Sequence, residues 1–526
     1  MKLPIDIHLA EIIAHLREHK RIVVTAPPGA GKTTRLPAAL LDDGMAGDGR
    51  IIVLQPRRVA VRAAARAIAM MRNTELGREV GYSVRFERKT SRQTRLELVT
   101  EGLFVRRLLA DPLLEGVSVV VLDEFHERSI DADLVLAMVR EVQAEVRPDL
   151  KIVVMSATLD PGPVSSFLND CPVISTQGRS HPVAIEYAPR DDHRLADRCA
   201  ATVRQVIGAS SGDQGDLLVF LPGMAEIRRT QRQLGGLDGV DVLPLHGSLP
   251  ASAQDRAIAP GRRRKVILST NLAETSVTID GVRHVIDGGF ARSPRFDPTI
   301  GLSRLVTVPI SRASAEQRAG RAGRTAPGRC IRLWSEAEHR GLSAFDKPEI
   351  RRSELTAAML TIWAWGGSPQ QFQWLQPPPS AAIEHALETL TRIGAIDSGG
   401  LTETGKQLAT LPVHPRLGRV VIAGHRSGQV AESVQLAALA SERDILARAH
   451  RPGDRSGDID LRLEALDEAV REGLTETVIR RWGLDASATS RVLQVRRHLE
   501  KAVKQQLGRT SVQSATKADL VQRCRM

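Results

Sequence analysis

The sequence predicts two consecutive α/β domains, each built on a parallel sheet, followed by a small winged-helix unit and a helical region. Short β-branched runs alternate with helical patterns in the first part of the chain, and a second series of such runs repeats the first. The strand signal then fades after about residue 340. Alternation of this kind is typical of a parallel sheet with helices on both faces.

The first domain is predicted for residues 1–178. Strands are expected in RIVVTAPPG, RIIVLQPRR, VSVVVLDE and KIVVMSAT. The intervening segments KTTRLPAALL, AVRAAARAIAMM and DADLVLAMVREVQAEV place apolar residues at helical spacing. The boundary to the next domain should fall near STQGRSHPVAIEY, residues 175–187, which contains no strong helical pattern.

The second domain, predicted for residues 179–340, repeats this arrangement with DLLVFLPG, VDVLPLHG, RKVILSTN and VRHVIDGG. Residues 341–412 add two helical patterns and the segment DSGGLTETGKQLATLP, whose turn, short strand and helix predict a winged helix. From residue 413 to residue 526 the pattern is almost wholly helical and includes the basic segment RVLQVRRHLEKAVKQQL.

The composition favours a polyanionic partner. Lys and Arg number 73 against 61 Asp and Glu, a net charge of +12 that suits nucleic acid or an anionic membrane. Aromatic residues make up only 3%, so stacking on bases is not expected to be the main binding mode. The four cysteines are scattered without a CxxC pair, which indicates neither a zinc site nor a disulfide framework. No apolar run has the length of a membrane span, so a cytoplasmic protein without membrane contact is expected.

The segment TAPPGAGKTTRLP follows the first predicted strand and opens a helix. It matches the phosphate loop GxxxxGK[ST] except at its first position, where Ala26 replaces Gly. Lys32 would neutralise the β- and γ-phosphates, and Thr33 would hold Mg²⁺. The alternative is a Gly-rich strand-to-helix turn with a capping Thr. The predicted nucleotide-binding residues of this loop are Gly29, Ala30, Gly31, Lys32, Thr33 and Thr34.

The run VVVLDEFHERS raises the question of why two acids end a buried segment. Asp123 and Glu124 would lie at the carboxyl edge of the sheet, where the phosphate loop also ends. With Thr33 they form a candidate Mg²⁺ site, and Glu124 could accept the proton of an attacking water. His126 could link this site to the second domain. The alternative is the start of a solvated loop, whereas a metalloprotease is excluded because HExxH is missing.

These segments resemble the DEAH-box branch of superfamily-two helicases, and most of all its bacterial HrpB-type group. The resemblance extends over nearly the whole chain. It rests on QPRRVAV (55–61), TEGLF (100–104), DEFH (123–126), SAT (156–158), LVFLPG (218–223), STNLAETSVTIDGV (269–282) and QRAGRAGR (317–324). It implies two RecA-like domains that use ATP and Mg²⁺ and that also accept other nucleoside triphosphates.

The resemblance also implies roles for residues in the second domain. Arg321 and Arg324 resemble arginine fingers, whose guanidinium groups suit the charge on phosphoryl oxygens. A basic nucleic-acid patch is the alternative for this segment. Gln317 resembles the residue that helps position the attacking water. Asp280 is expected on the nucleotide side, and Phe290 is expected to pack against the adenine, with Arg66 near its other face.

Nucleic-acid backbone contacts are expected from Arg57, Arg58, Thr100 and Thr270. The segment FARSPRFDPTIGLSRL, residues 290–305, resembles the β-hairpin that projects from the second domain in this family. Residues 413–526 are expected to form a helical, ratchet-like region with basic C-terminal helices, whereas the further C-terminal region with which HrpB-type chains usually continue is expected to be absent or shortened here.

The implied function is an ATPase that translocates on or unwinds RNA or DNA, mostly single-stranded and held through the phosphate backbone. An ATP-gated clamp or scaffold that does not unwind is the alternative. A phosphate-loop ATPase acting on protein is disfavoured by QPRR, TEGLF and the winged-helix pattern together. Sequence alone chooses neither RNA nor DNA, and it names no protein partner.

Overall fold

A computed structural model describes residues 2–157, 160–176, 181–189, 192–209, 215–274, 279–297, 302–324, 326–446 and 458–507. The chain divides into two compact units. One comprises Met1–Ser353 and Gln373–Pro377, and the other comprises Glu354–Phe372 and Pro378–Met526. The first unit contains both large sheets. The predicted boundaries at residues 178, 340 and 412 remain predictions.

The first sheet has eight strands in the order β4-β3-β5-β2-β6-β7-β1-β8. All neighbouring pairs are parallel except β3 and β4. The strands are β1 (Arg21–Thr25), β2 (Arg50–Gln55), β3 (Val80–Val84), β4 (Glu87–Lys89), β5 (Leu96–Thr100), β6 (Val117–Leu122), β7 (Lys151–Ser156) and β8 (Val173–Ser175). The helices of this region are α1 (Leu9–His19), α2 (Lys32–Asp42), α3 (Arg58–Met71), α4 (Glu101–Ala110), α5 (Ile130–Glu145) and α6 (Gly162–Phe167).

The strand order brings the candidate site together. Strand β6 lies between β2 and β7, and β7 pairs with β1, so the carboxyl ends of these four strands share one edge. The phosphate loop follows β1 and the DEFH segment follows β6. All four strands predicted from the sequence are present, whereas β3, β4, β5 and β8 were missed. In β5 the reason is Glu97, which is fully buried and interrupts the apolar run.

The second sheet has six strands, all parallel, in the order β11-β12-β10-β13-β16-β9. Leu218 and Phe220 of β10 belong to one core cluster, and Leu217 and Val219 to another, so the sheet is buried on both faces. The strands are β9 (Val183–Tyr187), β10 (Asp216–Phe220), β11 (Val240–Leu245), β12 (Arg264–Ser269), β13 (Val282–Asp287) and β16 (Gly328–Arg332). The helices are α7 (Leu195–Ala209), α8 (Met224–Leu234), α9 (Ala251–Ile258), α10 (Arg312–Ala319) and α11 (Glu336–Arg340). The sequence missed β9, which lies in the segment taken as the domain boundary, and β16, which contains two arginines and only two consecutive apolar residues.

The expected hairpin is present as β14 (Phe290–Asp297) and β15 (Leu302–Pro309). The two strands are antiparallel, with Phe290 opposite Pro309 and Asp297 opposite Leu302. The hairpin therefore extends four residues beyond the predicted end at residue 305. Its tip, residues 298–301, lies outside the described residues.

The second unit is mainly helical. A helix, a two-stranded hairpin and a further helix form the predicted winged-helix unit: α13 (Ser380–Arg392), β17 (Ile396–Asp397), β18 (Gly400–Leu401) and α14 (Glu403–Thr410). The other helices are α12 (Thr356–Trp365), α15 (Pro415–Arg426), α16 (Val430–Ser441), α17 (Ile459–Glu472), α18 (Glu476–Trp482) and α19 (Ala486–Gln506). Within the described ranges, every helix is too short or too polar to span a membrane. The predicted fold class is confirmed.

Candidate nucleotide site and nucleic-acid interface

The phosphate loop is held open by two glycines in the left-handed region. Gly29 has φ of 86° and Gly31 has φ of 93°, conformations that side chains rarely adopt. A Cβ on Gly31 would also lie 2.7 Å from Leu3 Cδ1. Ala26, at the position where a Gly was expected, is buried, and its N–H donates to the Ser156 carbonyl over 3.0 Å. The loop leads directly into the N-terminus of α2, which carries a partial positive charge.

The residue after this loop lies beside the acids that end β6. Lys32 is 4% exposed, and its Nζ lies 3.8 Å from Glu124 Oε2. Asp123 is fully buried and its Oδ2 accepts hydrogen bonds from Thr33 Oγ1 and from Gln55 Nε2, each over 2.7 Å. The acid pair thus belongs to a buried polar cluster at the carboxyl edge of the sheet, not to a solvated loop.

The two acids differ in their electrostatics. Burial, together with the charge of Glu124, raises the pKa of Asp123 to about 6, while Lys32 acts in the opposite direction. Burial alone would raise the pKa of Glu124 as well, but the charges of Lys32, Arg321 and Arg324 hold it below its ordinary value. Glu124 is therefore ionised at neutral pH. Its Oε2 is buried and accepts no hydrogen bond, so it can take a proton from a bound water.

The donor set fits a magnesium ion. Mg²⁺ prefers hard oxygen ligands, and the Thr33 hydroxyl and the Asp123 carboxylate meet at 2.7 Å. The raised pKa of Asp123 indicates a buried negative charge that a cation would relieve. Thr33, Asp123 and Glu124 remain the proposed magnesium-binding residues.

The DEFH segment forms a short 3₁₀ turn, Phe125–Glu127, between two non-glycine residues with positive φ. Glu124 has φ of 53° and Arg128 has φ of 47°, so the turn is locally strained. His126 Nδ1 lies 3.5 Å from Glu124 Oε2 and accepts a hydrogen bond from the Ala157 N–H over 3.3 Å. Burial lowers the pKa of His126, so the ring is neutral. This hydrogen bond joins the DEFH and SAT segments, and Thr158 lies outside the described residues.

The second domain contributes α10 and the turn after it. Gln317 is buried in α10, and Arg321 is 3% exposed. Arg321 Nε donates to the Glu274 carbonyl over 2.7 Å. Burial and the charge of Arg324 place the pKa of Arg321 well below its ordinary value. Burial also lowers the pKa of Arg324 to about 10, although that side chain keeps some exposed surface.

The charge of Glu124 acts on both of these arginines and raises the pKa of each. The carboxylate of the first domain and the guanidinium groups of the second domain therefore share one electrostatic environment. Asp280, which is exposed, acts on Arg324 in the same sense. Phe290 begins β14 and is half-buried. Thr275, expected in the same motif as Asp280, lies outside the described residues.

The residues expected to contact nucleic acid are only partly brought together. Arg57 Nη2 donates to Glu127 Oε2 over 2.9 Å, and its Nη1 donates to the Asn271 carbonyl of the second domain. Thr270, next to Asn271, is buried and caps the following 3₁₀ turn. Thr100 stands at the start of α4, and Arg58 is exposed at the start of α3.

Helix α3 also contacts α9 of the second domain. Arg62 Nη2 donates to Gln254 Oε1 over 2.8 Å, and Arg66 pairs with Asp255 at 2.9 Å. Arg66, expected beside the adenine, is thus engaged in a contact between the two α/β domains. Burial opposes the rise in the pKa of Arg66, but the hydrogen bond to Asp255 is the larger influence and raises it.

Three residues of the site were missed by sequence reasoning. Gln55 was assigned only to a nucleic-acid motif, yet it donates to Asp123. Its position at the end of β2 was a signal, but the adjacency of β2 and β6 is not readable from one sequence. Arg318 and Glu274 form a buried ion pair at 2.8 Å beside Arg321. The basic character of QRAGRAGR pointed only to Arg318, whereas Glu274 lies in the separate segment STNLAETSVTIDGV.

Two domains with predominantly parallel sheets, a phosphate loop after β1, a buried acid pair after β6 and arginines after α10 of the second domain define the class of superfamily-two helicases with RecA-like domains. Family comparisons agree with this class. Residues 8–166 match the DEAD/DEAH box helicase model, and residues 199–326 match the helicase conserved C-terminal domain. Residues 386–413 match the winged-helix helicase associated domain, HA2.

The chain carries matches to the DEAD/DEAH box and C-terminal helicase domains and is similar to DEAH-box helicases over most of its length. It is 41% identical over 447 residues to the ATP-dependent RNA helicase HrpB of Escherichia coli, a match covering 84% of this chain and 55% of that protein. It is 38% identical over 460 residues to the pre-mRNA-splicing factor ATP-dependent RNA helicase prp22 of Schizosaccharomyces pombe, covering 85% of this chain and 39% of that protein. The crystal structure of the Escherichia coli DEAH/RHA helicase HrpB matches with a TM-score of 0.82 and 35% identity, covering 99% of this chain and 63% of that one. The chain spans about half the length of the curated relatives it matches.

Proposed function

We propose that this chain hydrolyses ATP with Mg²⁺ between its two RecA-like domains and uses the cycle to move along or unwind RNA. The observation that carries this proposal is the buried cluster of Lys32, Asp123 and Glu124, whose charge acts on Arg321 and Arg324. A phosphate-binding cation, a proton acceptor and two guanidinium groups are the components that phosphoryl transfer requires.

In the proposed mechanism, the N-terminus of α2 and Lys32 bind the β- and γ-phosphates. Thr33, Asp123 and Glu124 would hold the magnesium ion, which would supply neutralisation of the charge on the phosphate oxygens. Glu124 accepts the proton of the attacking water through its free Oε2, and Gln317 helps to orient that water. Arg321 and Arg324 stabilise the charge that develops on the transferred phosphoryl group.

The nucleic-acid partner is proposed to be single-stranded RNA, held through its phosphates by Arg57, Arg58, Thr100 and Thr270. Two of the relatives are named RNA helicases. The net charge of +12 supports a polyanionic partner. Because backbone contacts release counterions, binding should weaken steeply with salt.

The test is ATP hydrolysis measured with single-stranded and duplex RNA and DNA, beside a strand-displacement assay on the same preparations. We expect single-stranded RNA to stimulate hydrolysis most and to accompany strand displacement. Stimulated hydrolysis without displacement would favour an ATP-gated clamp. No nucleotide hydrolysis with any nucleic acid would contradict the proposed function.

A further inference from the structure

Arg318 is a buried cation in the middle of the proposed arginine segment. It is 1% exposed and lies in α10, between Gln317 and the Arg321 turn. Its Nε pairs with Glu274 Oε2 at 2.8 Å, and its Nη1 pairs with Asp287 Oδ1 at 2.9 Å. Its guanidinium lies 4.8 Å from the centre of the Phe220 ring. One side chain therefore joins the last residues of β10 and β13 to a residue that follows β12.

Glu274 connects this network to the proposed arginine finger. Its carboxylate accepts from Arg318, while its backbone carbonyl accepts from both Nε and Nη2 of Arg321. The carbonyl can hold the Arg321 guanidinium at one place only if the backbone at Glu274 is itself fixed. The Glu274 N–H donates to the Asn271 carbonyl over 3.1 Å within a short 3₁₀ turn, and the ion pair with Arg318 adds a side-chain anchor at the same residue.

The same arginine reaches the base side of the proposed site. Arg318 Nη1 donates to the Phe290 carbonyl over 3.3 Å. Asp287, its second carboxylate, also accepts from the Gly289 N–H over 2.9 Å. The backbone leading into β14 is thus tied to the same cation. Phe290 is proposed to contact the adenine. Arg318 therefore contacts the backbone beside this residue as well as the residue that holds the proposed arginine finger, Arg321.

The chemistry of this pocket requires an arginine. Two carboxylates in different directions and an aromatic face demand a planar fork with several donors, and a lysine offers one compact charge. Loss of the fork would leave Asp287, which is fully buried, without its main partner. Asp346 also lies within electrostatic reach of Glu274 and Arg318.

We propose that Arg318 is a positioning residue for hydrolysis. By bridging Glu274 and Asp287 it fixes the carbonyl that holds the Arg321 guanidinium, and so it sets where that guanidinium meets the phosphoryl oxygens. This inference rests on the proposed function. A displacement of about 1 Å in such a group is sufficient to cost about a hundredfold in rate.

The test is steady-state ATP hydrolysis by Arg318→Lys with saturating single-stranded RNA. We expect kcat to fall by about ten- to a hundredfold, with the KM for ATP and the affinity for ADP changed less than about threefold. Affinity for ADP with aluminium fluoride, which mimics the transferring phosphoryl group, should fall together with kcat. RNA affinity without nucleotide should not change.

Arg332 provides a matched control. It is 2% exposed in the same domain and also combines a carboxylate, a hydroxyl and aromatic faces, but none of its described contacts involves Glu274. Arg332→Lys should lower the melting temperature about as much as Arg318→Lys and leave kcat per folded molecule near that of the wild type. The partners of Arg332 are Glu316, Tyr187, Trp334 and His339.

If the two variants lose stability equally and both keep the wild-type kcat, Arg318 is only a structural residue and the inference is overturned. If Arg318→Lys does not fold, Glu274→Gln decides, because it keeps the carbonyl and removes the charge. That variant should show the same fall in kcat at unchanged KM, and wild-type kcat would overturn the inference. A wild-type chain without any nucleotide hydrolysis would overturn the proposed function as well, whereas the outcomes above leave it standing.

Discussion

Arg318 and Arg321 lie three residues apart and are almost equally buried, yet their surroundings are opposite. Burial alone would lower the pKa of Arg318, but Asp287 and Glu274 raise it above its ordinary value. Burial and the charge of Arg324 lower the pKa of Arg321. Arg318 forms close ion pairs with two buried carboxylates, whereas the described hydrogen bonds of Arg321 are to a backbone carbonyl, and desolvation dominates its pKa. The contrast separates a structural cation from one prepared for a ligand.

The acids of the first domain show a similar contrast away from the nucleotide site. Glu97 is fully buried and pairs with Arg107 at 3.0 Å, which holds its pKa below the ordinary value against the effect of burial. No described residue forms such an ion pair with Asp131, and burial together with Glu349 raises its pKa to about 6 although Arg106 opposes the shift. The charge of Glu97 is thus compensated by Arg107, whereas ionisation of Asp131 lowers the stability of the fold.

The largest effect is expected when either of the proposed arginine fingers is removed. Arg321→Ala or Arg324→Ala should lower kcat by about a thousandfold or more, as loss of an arginine finger does. ATP affinity should change much less, because the transition state carries more of the charge these groups meet. Single-turnover hydrolysis and nucleotide titration measure the two quantities. A defect in nucleic-acid binding with normal basal hydrolysis would instead identify the segment as a basic patch.

The opposite pKa shifts of Asp131 and Glu97 predict opposite effects of pH on their contributions to folding stability. Since the folded pKa of Asp131 is raised, its contribution to stability is complete below about pH 4 and is lost as pH rises through about 6. The free energy of unfolding of Asp131→Asn minus that of wild type should therefore be about 1.4 kcal/mol larger at pH 8 than at pH 5. The variant thus becomes more stable relative to wild type as pH rises. Urea unfolding at the two pH values measures this difference.

Glu97→Gln is the control for that experiment. Its folded pKa is lowered, so the carboxylate stabilises the fold above its unfolded pKa, and the variant should be less stable than wild type at pH 8. If Asp131→Asn changed the stability by the same amount at both pH values, ionisation of Asp131 would not destabilise the fold, and this prediction would be wrong.

The part of the site that contacts the nucleobase should discriminate little among the four nucleoside triphosphates. The stretch before the phosphate loop, LPIDIHLAEIIAHLREHKRIVV, has no Gln or Asn to read the adenine edge, and the proposed base contact of Phe290 is stacking, which accepts any base. We expect kcat/KM for GTP, CTP and UTP within about tenfold of ATP, or about 1.4 kcal/mol. Steady-state kinetics with the four triphosphates checks this. A preference above a hundredfold would require a group that reads the adenine edge.

The smallest effect concerns Arg57. Its guanidinium pairs with the Glu127 carboxylate, which would compete with an RNA phosphate for the same donor. A partly buried pair of this kind contributes up to about 1 kcal/mol, so Glu127→Gln should tighten single-stranded RNA binding by up to about fivefold. Fluorescence anisotropy with labelled RNA measures the change. Glu145→Gln, at the exposed end of α5, controls for net charge. Equal shifts in both variants would remove any special role of Glu127.

The sequence predicted the local features of this molecule and missed those that depend on tertiary neighbours. Strands β1, β2, β6 and β7 were predicted because each is a continuous apolar run, and the phosphate loop because its glycines follow one of them. The role of Gln55 depends on the adjacency of β2 and β6. The roles of Glu274 and Arg318 depend on a contact across 44 residues of sequence. No pattern within a single segment encodes such pairs.

The central claim is that the buried acid after β6 serves as the proton acceptor in nucleotide hydrolysis. It is tested most directly by phosphate release from ATP in wild type and Glu124→Gln, with and without single-stranded RNA, beside a nucleotide-binding titration. The amide keeps the shape of Glu124 and removes the proton acceptor. We predict that RNA stimulates the wild type, whereas Glu124→Gln binds ATP and turns it over at under about 1% of the wild-type rate. Similar rates in the two proteins would contradict the account.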